Sequence, residues 1–240
     1  MSINLTSSDL TNLALFALAR NCPSLSEIKM EYATIGKTSV EDSNPFMDFV
    51  VNSKLKSLYL HECDWLRDKN IIMLASIFPN LELLDLSSCD DISEEGIFQV
   101  LKRCCKIRHL NLAHCSRVKL CGINLLEVPK LEVLNLSHTS VDDETLYVIA
   151  MSCYGILQLL LESCDNVTNK GVEHVVKNCT QLREINLDGC FKVHANVVGF
   201  MVFSRPSLRK ITVPTYFCLS DRNMKRFLRH GRLVRDGDRE

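Results

Sequence analysis

A short apolar pattern, Leu-x-x-Leu-x-Leu, returns along this chain at a nearly fixed interval. Its cores begin at Leu25, Leu55, Leu81, Ile107, Leu131, Ile156, Leu182 and Leu208, so successive starts lie 30, 26, 26, 24, 25, 26 and 26 residues apart. A period of that size marks a solenoid, in which no unit buries its own apolar face and the core exists only where neighbours stack. The unit is plainest in Ile156–Cys179, ILQLLLESCDNVTNKGVEHVVKNC. Ile156, Leu159 and Leu161 have the spacing of a short buried strand, Cys164 follows at the turn, and Val167-Thr168 leads into an amphipathic run closed by Cys179. The expected fold class is α/β: a curved parallel sheet on the concave side of a solenoid, with helices on the convex side.

The helical halves repeat as regularly as the strands. From a capping residue at Thr11, Ser93, Asp142 or Thr168, apolar side chains recur at +4, +7 and +8 and a cysteine at +11, which is one face of a helix begun by a backbone N–H acceptor. In the unit at Leu55, Arg67 takes the capping phase and Asp68 is the candidate substitute. A further unit is cut at the start: Ile3-Asn4-Leu5 matches Leu134-Asn135-Leu136, and Leu15, Leu18, Ala19 and Cys22 fall where Leu146, Ile149, Ala150 and Cys153 fall. The expected organisation is one domain over 1–240, of about eight to nine repeats, with the first truncated at Met1 and a C-terminal cap and tail over 214–240.

Three stretches depart from the period. Gly36 and the polar run Glu41–Pro45 lengthen the second unit, an ordinary insertion or a binding loop. Val128-Pro129 ends the helical half of the Ile107 unit early. After Val213 and Pro214 the pattern predicts a last helix over Leu219–Leu228, and Arg222–Arg235 holds six Arg or Lys and no acid, read as a solvated cap and tail or as a basic contact.

Bulk properties exclude more than they assign. A formal net charge of -1 argues against general affinity for nucleic acid or an anionic membrane. Most of the 12 cysteines sit at fixed phase in the repeat, as reduced small hydrophobes would, and no apolar run reaches the ~18 residues of a membrane span. A cytoplasmic or nuclear location follows, and the sequons at Asn4, Asn135, Asn166 and Asn178 read as chance matches.

Taken together, the LxxLxLxxC core, the amphipathic helix and the closing cysteine resemble the cysteine-containing class of leucine-rich repeat. The best matches are LELLDLSSCDDISEEGIFQVLKRC and ILQLLLESCDNVTNKGVEHVVKNC, and the resemblance covers essentially the whole chain. That class is typical of F-box/LRR proteins, the substrate receptors of SCF-type ubiquitin ligases, and the ending NMKRFLRHGRLV is similar to those of plant members. The resemblance implies a protein-recognition module, the substrate-binding part of such a receptor in ubiquitin-dependent protein degradation. An F-box is a separate helical module before the repeats, and none precedes Ile3, so a Skp1-type adaptor is expected as a partner only if an F-box lies upstream in the full gene. The alternative is a free-standing adaptor with no ligase link, of the kind related to the antagonist of mitotic exit.

In this architecture parallel strands stack at ~4.8 Å, so eight of them span about 34 Å. The first, fourth and sixth positions of each core point inward, and alternation sends the third, fifth and seventh to the concave face. From these rows the candidate partner-binding residues are Tyr59, His61, Asp85, Asn111, Asn135, Leu160, Glu162, Glu184, Asn186 and Asp188, with Trp65 nearby on a turn. They fit a folded protein or an extended peptide. No catalytic, metal or cofactor site is expected: His114 and His138 share the eighth position of adjacent units, with His109 near, but no carboxylate or Cys completes a ligand set in that phase. Cys63, Cys89, Cys115, Cys164 and Cys190 form one inward ladder, better suited to bonding backbone groups than zinc.

Overall fold

A strand of three residues cannot hold itself together, and each core here supplies about that much. In the computed structural model, which describes residues 1–5, 17–18, 20–32, 51–121, 130–214, 216–217, 225 and 233–236, the strands are satisfied by their neighbours in one parallel sheet. Its order in space is its order in the chain: β1 (Ser2–Asn4), β2 (Glu27–Lys29), β3 (Ser57–Tyr59), β4 (Leu83–Asp85), β5 (His109–Asn111), β6 (Val133–Asn135), β7 (Gln158–Leu160), β8 (Glu184–Asn186), β9 (Lys210–Val213) and β10 (Leu233–Asp236). The register pairs like with like, Leu58 with Leu84, Leu84 with Leu110 and Leu159 with Ile185. β1 pairs in parallel with β2 through Ile3 and Ile28. β10 carries the sheet one strand further than the period indicates, with Val234 beside Ile211 and buried.

Parallel neighbours need a crossover, and helices supply it. α1 (Asp68–Ile77), α2 (Glu94–Arg103), α3 (Asp143–Ser152), α4 (Asn169–Asn178) and α5 (Asn196–Ser204) each return antiparallel to the strands. Their inward residues are those the period marks: Ile97, Val100 and Leu101 in α2, Val172, Val175 and Val176 in α4, all buried with the first, fourth and sixth residues of the cores. Full burial of one such side chain stabilises the fold by about 1.5–3 kcal/mol, and the core runs unbroken from Leu25 to Val234. The loop around Pro45, the Val128-Pro129 stop, the cap at Thr11 and the helix over Leu219–Leu228 lie outside the described residues, apart from Lys225 in the last. At the start of the Ile107 crossover Leu120 turns left-handed, φ 59°.

Two ladders fix neighbouring units to one another. The ninth-position thiols donate to the sixth-position carbonyl of the preceding unit: Cys63 to Met30, Cys89 to Leu60, Cys115 to Leu86 and Cys164 to Leu136 at 3.1 Å each, and Cys190 to Leu161 at 2.9 Å. The cysteines thus bond backbone groups, as their inward phase suggested. Burial pushes the thiol of Cys115 and that of Cys164 up to about 11 and Cys190 to about 12, so they stay protonated donors. The second ladder joins helix starts. Asp68 accepts from Ser93 N at 2.8 Å and Ser93 Oγ at 2.5 Å; Asp143 accepts from Thr168 N at 2.8 Å, Thr168 Oγ1 at 2.6 Å and Gly171 N at 3.0 Å. Asp68 therefore caps the next unit's helix rather than its own, where Asn70 Oδ1 takes the Arg67 N–H at 3.1 Å. Ser93 likewise donates its hydroxyl to Asp68 instead of capping α2, whereas Asp142 and Thr168 accept from Thr145 N and Lys170 N as the capping phase predicts.

Candidate functional site

The turn after each strand decides what the concave face presents. The eighth residue of every core from Leu25 to Leu182 is left-handed: Tyr32, Glu62, Ser88, His114, His138, Ser163 and Gly189, with φ between 53° and 65°. For the six with a β-carbon that costs roughly 1–2 kcal/mol each. The conformation persists because in the six with a β-carbon it aims the N–H at the seventh-position carbonyl of the next unit, Tyr32 to His61 at 3.0 Å, His114 to Ser137 at 2.9 Å and Ser163 to Asp188 at 2.7 Å among them, while Gly189 N donates to Asp188 Oδ1. The ladder continues past the strands, and the eighth side chains are thrown onto the rim.

The ten candidate residues do share one face, but few of them are idle there. At the fifth position, Asp85 Oδ1 accepts from Ser87 N at 2.9 Å, Asn111 from Ala113 N at 3.1 Å, Asn135 from Ser137 N at 3.0 Å and Asn186 from Asp188 N at 3.0 Å. One oxygen of each is spent holding its own turn. Asn111 Nδ2 then donates to Asp85 Oδ2 at 2.9 Å and Asn186 Nδ2 to Glu162 Oε2 at 3.3 Å, so the polar ladder is cross-linked between units. Glu184 pairs with Lys210. Leu160 is half-buried between Asn135 and Asn186.

The seventh row departs from simple alternation. Ser87, Ala113 and Ser137 are only 6–7% exposed, being short side chains beside the left-handed turn, which the longer ones at this position reach past. His61, Glu162 and Asp188 remain half-exposed at the two ends. Trp65 is 4% exposed and packs in the core, so it is no interface anchor. Toward the start of the array the aromatic corner is built instead by Tyr32, half-exposed beside His61 with ring centroids 5.2 Å apart and planes at 88°, and by Tyr59 under the Lys29 ammonium, 4.7 Å from its ring. His61 Nδ1 lies 2.8 Å from Ser87 Oγ.

His114 and His138 stack face to face, centroids 4.2 Å apart and planes within 10°. A carboxylate does reach this phase, since Glu162 Oε1 stands 3.7 Å from His138 Nε2. Parallel rings do not converge on one point, and among the described residues no group of three His, Cys, Asp or Glu is placed to hold a metal ion. No helix among them is long and apolar enough to cross a membrane.

A signal missed by row-by-row inspection lies in the charge of the two sheet margins. Over the eight cores from Leu25 to Leu208, the residues just before the first leucine and at the second and third positions include Lys54, Lys56, Lys106, Arg108, Lys130, Arg183, Arg209 and Lys210 against four Glu. The seventh to eleventh positions include Glu31, Glu62, Asp64, Asp90, Asp91, Glu162, Asp165 and Asp188 against Arg117 and Lys192. One margin is basic and the other acidic in a chain whose net charge is -1. Summing charge by repeat phase would have found it.

An in-order parallel sheet with a helical crossover, an inward cysteine ladder and a left-handed eighth residue defines a leucine-rich-repeat solenoid. The family model described as Leucine Rich repeat matches residues 79–99, the end of one unit and the start of the next. The chain is similar to the Antagonist of mitotic exit network protein 1 of Candida glabrata, 28% identical over 122 residues that cover 49% of this chain and 24% of that protein. It is similar to the F-box/LRR-repeat protein 4 of Bos taurus, 26% identical over 176 residues, 68% of this chain and 27% of that one. The chain thus spans about a quarter of the length of these relatives. In fold it resembles a chain of the yeast Rad7 and Elc1 complex, with a TM-score of 0.71 and 18% identity over 93% of this chain and 57% of that one.

Proposed function

We propose that this chain is a protein-recognition module whose concave face binds a folded protein or an extended peptide, as the substrate-binding part of an SCF-type ubiquitin ligase receptor. The observation that carries the reading is the pre-organised fifth row. Asp85, Asn111, Asn135 and Asn186 are held by their own turns, and all but Asn135 also by cross-unit bonds, so a partner meets side chains already ordered and binding costs less conformational entropy. Tyr32, Tyr59 and His61 at one end, with Glu162 and Asp188 toward the other, supply aromatic and acidic contacts on either side of it. The ligase link is supported by the cysteine-containing repeat and by the relative named F-box/LRR-repeat protein 4, and the contact with a Skp1-type adaptor would be made by an F-box outside the repeats.

The test is a partner isolated by cross-linking to the full gene product, then titrated against Tyr59→Ala/Asp188→Ala. A loss of tenfold or more in affinity is expected; unchanged affinity would move the site off the concave face. The second reading, a free-standing adaptor, is supported by similarity to the Antagonist of mitotic exit network protein 1. Purified Skp1-type adaptor mixed with the full gene product separates the two, because only the receptor forms a stoichiometric complex.

A further inference from the structure

At the basic margin the sheet opens into a groove of about 510 Å³, lined by Glu82, Lys106, Arg108, Lys130, Glu132 and Leu157 among others. Its charges are not equivalent. Lys56 Nζ holds Glu82 at 2.6 Å, and the Lys56 hydrogen bond keeps that carboxyl below its ordinary range. Arg108 holds Glu132. Both carboxylates in the wall are therefore already matched, and Lys106 and Lys130, on adjacent units, bring positive charge beyond what the wall neutralises. Among the described residues Lys130 enters no ion pair, and neither do Arg183 and Arg209 on the units that follow.

Part of the margin's sign has a structural cause, since helices end on this side and cations suit their C-termini; α2 finishes with Lys102 and Arg103 and α4 with Lys177, whereas α1, α3 and α5 carry no base in the last turn. That cause accounts for positive charge but not for a concavity with a leucine in it. From Glu82 to Gln181 the lining residues come from five successive units, four strand spacings or ~19 Å, the reach of about six extended residues. We propose that the groove takes an acidic segment of the protein partner, its carboxylates meeting Lys106 and Lys130 while an apolar side chain rests on Leu157. The inference builds on the protein-recognition reading and names the chemistry of one stretch of the partner. Glu82 and Glu132, spaced between the cations, disfavour a continuous polyanion such as nucleic acid and admit discrete carboxylates.

The experiment pans a phage-displayed library of random dodecapeptides against the 240-residue chain, then titrates selected synthetic peptides by fluorescence anisotropy. Selected peptides should be enriched in Asp and Glu around an apolar residue, weaken with rising salt, and lose tenfold or more in affinity for Lys106→Glu/Lys130→Glu. The milder Lys106→Gln/Lys130→Gln should lose less, and both variants should keep the parent melting curve. Failure to select any peptide, selection without acidic enrichment, or equal affinity for the charge-reversed variant would overturn the proposal. So would a twelve-nucleotide single strand that binds the groove as tightly as the best peptide. If Tyr59→Ala/Asp188→Ala abolishes partner binding while no acidic peptide emerges, the groove inference alone falls. If acidic peptides bind the groove while the concave substitutions leave partner binding intact, the concave-face reading falls and the groove stands.

Discussion

Replacing Gly171 by alanine should destabilise this protein, although alanine is the better helix former. In an exposed helix the exchange gains about 0.5–1 kcal/mol. At Gly171, the third residue of α4, an added β-carbon would lie 2.5 Å from Asp143 Oδ1, 2.9 Å from Leu146 Cδ1 and 3.1 Å from Asp143 Cα. The first contact can be relieved only by turning the Asp143 carboxylate away, which gives up its bonds to Thr168 N, Thr168 Oγ1 and Gly171 N. At about 1 kcal/mol for each of the two backbone bonds, with the helix-forming gain subtracted and the Leu146 contact added, the net loss is about 1–3 kcal/mol. Gly199 in α5 is the control, since a β-carbon there would meet nothing within 4 Å, and Gly199→Ala should stabilise by about 0.5–1 kcal/mol. Urea unfolding followed by far-ultraviolet circular dichroism measures both. In the Asp143→Ala background the cost of Gly171→Ala should shrink, because the group it displaces is already gone. Stabilisation by Gly171→Ala, or strictly additive costs in the double variant, would refute the inter-unit cap.

Three further outcomes follow from the ladders. Asp85→Ala should cost about 1–3 kcal/mol in urea unfolding, because Ser87 N, Ser87 Oγ and Asn111 Nδ2 lose their acceptor, whereas Asp85→Asn keeps the Ser87 N bond and should cost less. Ellman's reagent at pH 8 should label Cys105 and Cys121, the exposed thiols among the described residues, while Cys115, Cys164 and Cys190 react only on unfolding. Burial raises the ladder thiols from 9.0 to about 11 or 12, so the folded chain holds protons that the unfolded chain releases. The thiols' contribution to stability should be constant below about pH 9 and fall from there toward 11–12, read as a urea midpoint that drops above pH 9; a midpoint unchanged between pH 8 and 11 would contradict the burial of these thiols.

Much of this fold is written in its period. Leu58, Leu84, Leu110 and Leu134 are aligned by counting alone, and the sheet pairs those residues. The cysteine ladder was equally legible, because a residue that is apolar enough to face inward and carries a weak donor has few other uses at a turn. The concave face was legible only in outline. Simple alternation assumes that a strand continues to the seventh position, whereas the left-handed eighth residue turns the chain early and leaves the short side chains of Ser87, Ala113 and Ser137 buried beside it. The fifth-row Asn and Asp side chains read as free recognition groups in one dimension, and only the turn geometry shows that each lends an oxygen to the backbone. Asp68 reads as a cap for its own helix and Asp143 does not stand out at all, because a bond to a residue 25 positions away has no local sequence signature.

The same geometry joins the stability of the array to its charge. Strands run in one direction and helices in the other, so every helix starts near the turn-side margin and ends near the strand-entry margin. Helix starts carry partial positive charge and attract carboxylates; Asp68 and Asp143 sit there in the first turn, alongside a margin that holds Glu62, Asp90, Asp91, Asp165 and Asp188. Helix ends do the reverse and suit cations, as Lys102 and Arg103 in α2 and Lys177 in α4 illustrate, and the strand-entry segments beside them carry most of that margin's Lys and Arg. A repeat that stacks in register therefore sums small local preferences into two oppositely charged edges flanking one face. A partner binding across that face meets a field set by the fold, with its orientation biased before any side chain makes contact. Substitutions at Lys106 and Lys130 should accordingly act first on the association rate and its salt dependence, and those at Tyr59 on the dissociation rate. A stopped-flow titration of the isolated partner that found the opposite assignment would separate the charged edges from recognition.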